Sequence, residues 1–152
     1  MSNIRPVYDT AGTFTCDIAS KTNGQGQRST AVDFSSTTYG DIEISVSVKT
    51  GTVSAGSYFL VYAYSSLDGT NYETGGSTNA AYNTLAGDEH FLAYKECPSS
   101  TTVYTVTANI SLIWPTPPPY VGIIIYQINC GTLSSTESDH VKKYRGIYYQ
   151  AA

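Results

Sequence analysis

Charge is what this 152-residue chain has least of. Asp, Glu, Lys and Arg make up 13% of it, against about 25% in an ordinary soluble domain. Lys plus Arg number 8, and Glu is rarer than Thr, which leaves little material for exposed amphipathic helices. Net charge is −4 and the sequence pI is about 4.9. A nucleic-acid binder carries a basic face; here the only basic cluster is Lys142, Lys143 and Arg145. Those three read as a solvated or partner-facing strand edge, so nucleic acid is not expected as a partner.

The remaining scarcities exclude further classes. Three cysteines, Cys16, Cys97 and Cys130, stand far apart with no CxxC pair, so no zinc site is expected. An odd, sparse set is also a poor disulfide framework. Free, mostly buried thiols are expected, with one disulfide plus one free thiol as the alternative. No apolar run nears the roughly 18 residues of a spanning helix, so no membrane partner is expected. Met1 to Tyr8 has no apolar core of a signal peptide, which predicts a chain made in the cytoplasm.

Catalytic signatures are thin as well. His90 and His140 are the only histidines, and neither lies in HExxH. His140 beside Asp139 suggests a triad only because serines are so many, and no G-x-S-x-G elbow exists. Asp88, Glu89 and His90 are adjacent, and adjacent strand residues point to opposite faces, which spoils a metal site. Ser66 to Tyr72 has Ca²⁺-like oxygens without the 12-residue ligand frame of an EF-hand. It reads as a hairpin turn with Gly69 at positive φ and Asp68 bonding its own backbone. Asn109-Ile110-Ser111 matches a glycosylation sequon but falls mid-strand. The chain is expected to be no enzyme and to carry no cofactor.

What is present is strand grammar. Ser and Thr supply about a quarter of the chain, joined by 14 Tyr and 13 Gly. Residues 40–49 are the cleanest segment: Ile42, Ile44, Val46 and Val48 face one way, and Asp41, Glu43, Ser45, Ser47 and Lys49 the other. Period two means a strand with one buried and one wet face. Residues 57–65 are apolar on both faces, as in a strand buried twice or one bearing a Tyr contact surface. Further strands are expected at 13–19, 29–34, 89–95, 101–112, 120–129 and 141–150, with turn signals between them and no helical period. Residues 1–12, broken by Pro6, read as a flexible arm, followed by one domain over 13–152.

Eight strands predict an all-β, single-domain antiparallel β-sandwich of jelly-roll type. An immunoglobulin-like sandwich is the alternative, since Trp114 lies between Cys97 and Cys130. The prolines at 115 and 117–119 cannot donate to a ladder, so that bend is expected at a sheet edge or rim. Tyrosine gives rigid contact area with a polar tip and is enriched at interfaces. Its abundance favours a subunit interface over core filling or a sugar site.

The last third also carries a resemblance. Pro117-Pro118-Pro119-Tyr120-Val121-Gly122-Ile123-Ile124-Ile125, then Asn129-Cys130-Gly131-Thr132-Leu133, then Tyr144-Arg145-Gly146-Ile147-Tyr148 resemble the small β-sandwich accessory proteins, of decoration or cement type, of tailed-phage virions. The hairpin from Tyr62 to Tyr72 fits the same group. The likeness covers about two thirds of the chain, leaves residues 1–40 outside it, and has Val121 where an aromatic often stands. It implies a structural virion protein, a capsid decoration protein that binds the assembled shell and bridges neighbouring subunits. Its partners would be the major capsid protein or other virion proteins, and its copies a homo-oligomer, a trimer above all, with avidity multiplying weak contacts. Contact residues expected on this reading are Tyr8, Tyr62, Tyr64, Trp114, Tyr120 and Tyr148. A tail, neck or head-fibre component is the alternative within that class; a carbohydrate-binding adhesin module is the alternative outside it.

Overall fold

The computed structural model describes residues 3–85 and 87–151. It is all-β: two antiparallel sheets stacked into a sandwich. The strands are β1 (Ile4–Tyr8), β2 (Gly12–Thr13), β3 (Gly26–Arg28), β4 (Val32–Asp33), β5 (Asp41–Lys49), β6 (Tyr58–Ser66), β7 (Ala80–Ala81), β8 (His90–Glu96), β9 (Val103–Asn109), β10 (Tyr120–Ile128) and β11 (Val141–Ala151). Two 3₁₀ turns, Ile110–Leu112 and Glu137–Asp139, are the helical pieces among the described residues.

One sheet runs β1-β11-β5-β9, with β2 also paired to β11; the other runs β7-β3-β10-β6-β8, with β4 also paired to β10. Every ladder is antiparallel. From β8 onward each successive strand crosses to the opposite sheet. The chain must therefore close the sandwich at its ends.

The core lies between the sheets. β5 contributes Ile42, Ile44, Val46 and Val48, all at most 2% exposed. Opposite them stand Phe59, Val61 and Ala63 of β6 and Val121, Ile123 and Ile125 of β10. Burying each large aliphatic or aromatic side chain stabilises by about 1.5–3 kcal/mol. The three cysteines are free and buried, as expected. Trp114 packs against His90 at 4.8 Å between ring centroids. It has no disulfide to cover, and the mark of an immunoglobulin domain is missing.

Three segments depart from the sequence reading. Ile4–Tyr8, expected in a flexible arm, is an edge strand paired with β11 over Ile4–Ala151 to Tyr8–Ile147. Pro6 is tolerated there because an edge strand leaves half its N–H groups without a ladder partner. Phe14, Cys16 and Ile18 point inward in alternation, but only Gly12 and Thr13 join a ladder. The segment passes from sheet to sheet: Phe14 N–H donates to Lys142 in one, and Thr15 C=O accepts from Thr30 beside the other. The expected strand at 29–34 is reduced to β4, while β3 forms just before it; the two flank Ser29. The Ser29 Oγ accepts from Ile123 N–H at 2.9 Å, and its own N–H donates to Ile123 C=O. The proline bend at 115–119 lies outside every strand, although Pro118 is buried.

Candidate interaction surface

The two outer faces of the sandwich differ in chemistry. On the β11-β5-β9 sheet most outward side chains pair polar to polar, with Val103 and Val141 as exposed exceptions. Arg145 Nε meets Glu43 Oε1 at 2.7 Å, Ser47 Oγ and Thr105 Oγ1 lie 2.7 Å apart, and Thr107 Oγ1 donates to Ser45 Oγ at 3.2 Å. This is the wet face that the alternation of β5 predicts.

The other sheet does not alternate in that way. Its ladder sets Tyr58 opposite Glu96 and Ile128, Leu60 opposite Tyr94 and Tyr126, and Tyr62 opposite Phe91 and Ile124. These residues share the outer face, because their neighbours Phe59, Val61 and Ala63 fill the core. Tyr58 and Tyr94 pack tilted at 45° with centroids 5.3 Å apart, and Tyr62 meets Phe91 edge-on at 5.9 Å. Phe91 remains 55% exposed and Tyr94 45%. A β-bulge opposite Val61 and Tyr62 resets the register of β8. That reset brings Phe91 and Tyr94, three positions apart, onto one face.

Flanking groups hold the face in place. The Arg28 guanidinium lies 5.8 Å from the Tyr82 ring centre and donates to Thr74 C=O at 2.8 Å and Thr78 C=O at 3.2 Å. The Tyr82 hydroxyl donates to Glu89. Tyr94 Oη donates to Glu96 Oε1 at 3.1 Å. Beyond that pair a cleft of about 490 Å³ opens between Tyr94, Glu96, Pro98 and the turn at 53–57. Desolvation, then the Glu89 bond, pushes the Tyr82 phenol up to about 12. Tyr62 and Tyr94 are raised too, chiefly by desolvation. All three phenols stay neutral at ordinary pH. The surface offers apolar rings and uncharged hydroxyls, which suits binding by contact.

Of the six contact residues expected from sequence, only Tyr62 lies on this face. Tyr64 is a correction. By alternation it points outward, yet it is fully buried. The chain beyond β6 folds over it: Tyr72 packs on its ring at 6.0 Å, and its hydroxyl donates to Ser29 C=O at 2.7 Å. Tyr120 is half-buried with its ring against Gly69. Trp114 is half-buried on His90 and the core. Tyr8 lies on β1 with the Arg145 guanidinium 4.3 Å from its ring centre. Tyr148 of β11 lines a separate cleft of about 400 Å³ with Asp9, Tyr39 and Tyr149. The six do not form one surface. The expected Tyr contact surface of residues 57–65 includes Tyr58 and Leu60 of this face; Phe91 and Tyr94 of β8 carried no such signal, since only the bulge brings them into line.

The paper constellations for chemistry come apart in the same way. His140 accepts Lys49 N–H at Nδ1 (3.2 Å) and donates from Nε2 to Ser134 C=O (3.1 Å), so no ring nitrogen is left for a serine hydroxyl. Asp139 is engaged by Lys49 Nζ at 2.9 Å and Ser134 Oγ at 2.5 Å. His90 contacts Glu73 at 3.1 Å, and Glu89 takes the Tyr82 hydroxyl. Asp68 Oδ1 accepts Thr70 and Asn71 N–H, both at 2.8 Å, with Gly69 at φ 72°, as the turn reading requires. The sequon Asn109 donates its amide to Asp41 at 2.7 Å.

No family model matches the chain, and no curated protein matches it. Among solved structures, the C-terminal domain of EclA, described as a sugar-binding protein, is similar over 99% of this chain and 80% of that one, at 8% identity and a TM-score of 0.37. A likeness of that size carries no argument about ligand.

Proposed function

We propose that this chain is a non-catalytic structural protein of a virion, a capsid decoration protein that docks on shell subunits through the outer face of β6, β8 and β10. The observation that carries the docking is the contrast between faces: one sheet is dressed mainly in paired polar groups, broken by Val103 and Val141, the other in Tyr58, Leu60, Tyr62, Phe91, Tyr94 and Tyr126. A continuous aromatic sheet face on a small protein is what an interaction surface requires. The virion setting rests on the resemblance over residues 101–150. The jelly-roll reading rests on the strand orders β1-β11-β5-β9 and β3-β10-β6-β8, with three successive crossings between sheets from β8 to β11. A standard interface buries about 800 Å² per partner, and aromatic anchors at its centre carry about 2 kcal/mol or more each.

Co-sedimentation with particles lacking this chain tests the reading. Phe91→Ser and Tyr94→Ser are each expected to weaken binding by about tenfold or more without lowering the unfolding midpoint. Ser45→Glu, on the polar sheet, is expected to leave binding unchanged. Binding that survives both aromatic substitutions sinks the assignment of the face.

One observation favours a carbohydrate-binding module as the second reading. The cleft beside Tyr94 sets an exposed ring next to the Glu96 carboxylate and a turn of small residues, a pairing suited to stacking and hydrogen-bonding a sugar. A glycan array reads this directly: hits lost in Tyr94→Ala and Glu96→Gln support it, and an empty array removes it.

A further inference from the structure

The sandwich has four sheet edges, and three of them are guarded. β1 carries Arg5 and Pro6. β7 is two residues long. β8 faces a register shift and bears His90, Lys95 and Glu96. Short strands, proline, bulges and charge are the usual protections against edge pairing. β9 has none of them: Val103-Tyr104-Thr105-Val106-Thr107-Ala108-Asn109 is seven residues without charge or proline, in unbroken register with β5.

Its free backbone groups can be named. Thr50 N–H donates to Thr102 C=O, so residues 102, 104, 106 and 108 turn their N–H and C=O toward β5. The antiparallel pattern alternates, and the N–H and C=O of Val103, Thr105 and Thr107 therefore face away. Among the described residues no backbone partner meets them. The inward side chains tell the same story. Tyr104, Val106 and Ala108 pack against the core yet stay only half-buried, whereas their β5 counterparts are closed off.

We propose that the β9 edge pairs antiparallel with the β9 edge of a second copy of this chain, on a two-fold axis through Val106. That register sets Thr105 against Thr107 of the other copy, Val103 against Asn109, Tyr104 against Ala108 and Val106 against itself. The outward-facing groups fall in the hydrogen-bonding pairs. Thr meets Thr on the wet face, a favourable cross-strand pair, while Val106 and Tyr104 gain cover at the rim. A second copy is the occupant because the strand is its own complement about its central residue. The contact is independent of the aromatic face, which lies on the other sheet. It replaces the threefold clustering implied by the virion resemblance with a closed pair.

Sedimentation and amide exchange on the full chain test this. A dimer is expected at about 100 µM, dissociating on dilution. In the concentrated sample the Thr105 and Thr107 amides exchange slowly; on dilution they become fast while the Tyr104 and Val106 amides stay protected. Thr107→Pro removes an N–H that faces away from β5, and is expected to raise the dimer Kd by about tenfold or more with circular dichroism unchanged. Should that variant fail to fold, the double variant Thr105→Lys, Thr107→Lys opposes like charges across the pair and is expected to give a folded monomer. A wild-type monomer or trimer throughout, a dimer whose Thr105 and Thr107 amides stay fast, or a dimer undiminished in a folded edge variant overturns the proposal.

Discussion

His140 is an imidazole enclosed at 4% exposure with both ring nitrogens committed to backbone groups. Burial lowers its pKa below 6.5; the Ser134 carbonyl, Glu137 and Asp139 pull upward, and Lys142 pushes down. Because the folded value lies below the unfolded one, the unfolded chain binds more protons between them. Stability contributed by neutral His140 is complete above about pH 6.5 and is lost as pH falls toward the folded pKa. Urea unfolding at pH 7.5, 6.5 and 5.5 is expected to show stability falling with pH, by no more than about 1.4 kcal/mol per pH unit for one proton. His140→Gln is expected to flatten that slope; an equal slope in the variant would assign it to the carboxylates. Neither the enclosure of His140 nor that of Tyr64 could be read from sequence. Tyr64 shares the outer register of Tyr62, and only the chain folding back over it, with Gly122 beneath, separates core from contact. A Cβ at Gly122 would come within 2.1 Å of the Tyr64 ring, so the pair is matched in space across two strands.

Legibility at the level of elements follows how much each strand decides for itself. β5 was plain, because nine residues of period two fix both its conformation and its buried face. β6, β10 and β11 were placed within a residue or two by their turns and apolar runs. The segment at 14–18 shows the limit. Phe14, Cys16 and Ile18 alternate with polar residues and are buried, but hydrogen bonding depends on which strand lies alongside, and most of the segment runs between sheets. The two-residue strands β4 and β7 exist only because β10 and β3 are there to pair with them. The aromatic face was half legible. The sequence of β6 carried it, while the contribution of β8 depended on a bulge that moves Phe91 and Tyr94 into line.

At the scale of the whole molecule, the two proposed contacts have a fixed geometric relation. A two-fold axis that joins antiparallel edge strands within one sheet stands perpendicular to that sheet. The two copies therefore keep their second sheets on the same side, and both aromatic faces point the same way. A dimer built on β9 is bivalent toward any surface that offers repeated sites. Linked binding of this kind raises overall affinity by about 10²–10⁴ over a single contact, provided both sites are reached at once. Thr107→Pro is therefore expected to weaken binding to particles by about that factor while leaving the aromatic face intact. Tyr94→Ser is expected to weaken particle binding while leaving the dimer intact. The measurement is a paired one, particle co-sedimentation beside analytical ultracentrifugation on the same samples. If the folded Thr107→Pro monomer binds particles as tightly as the wild-type dimer, the two faces do not act together, and the aromatic face works as a single site.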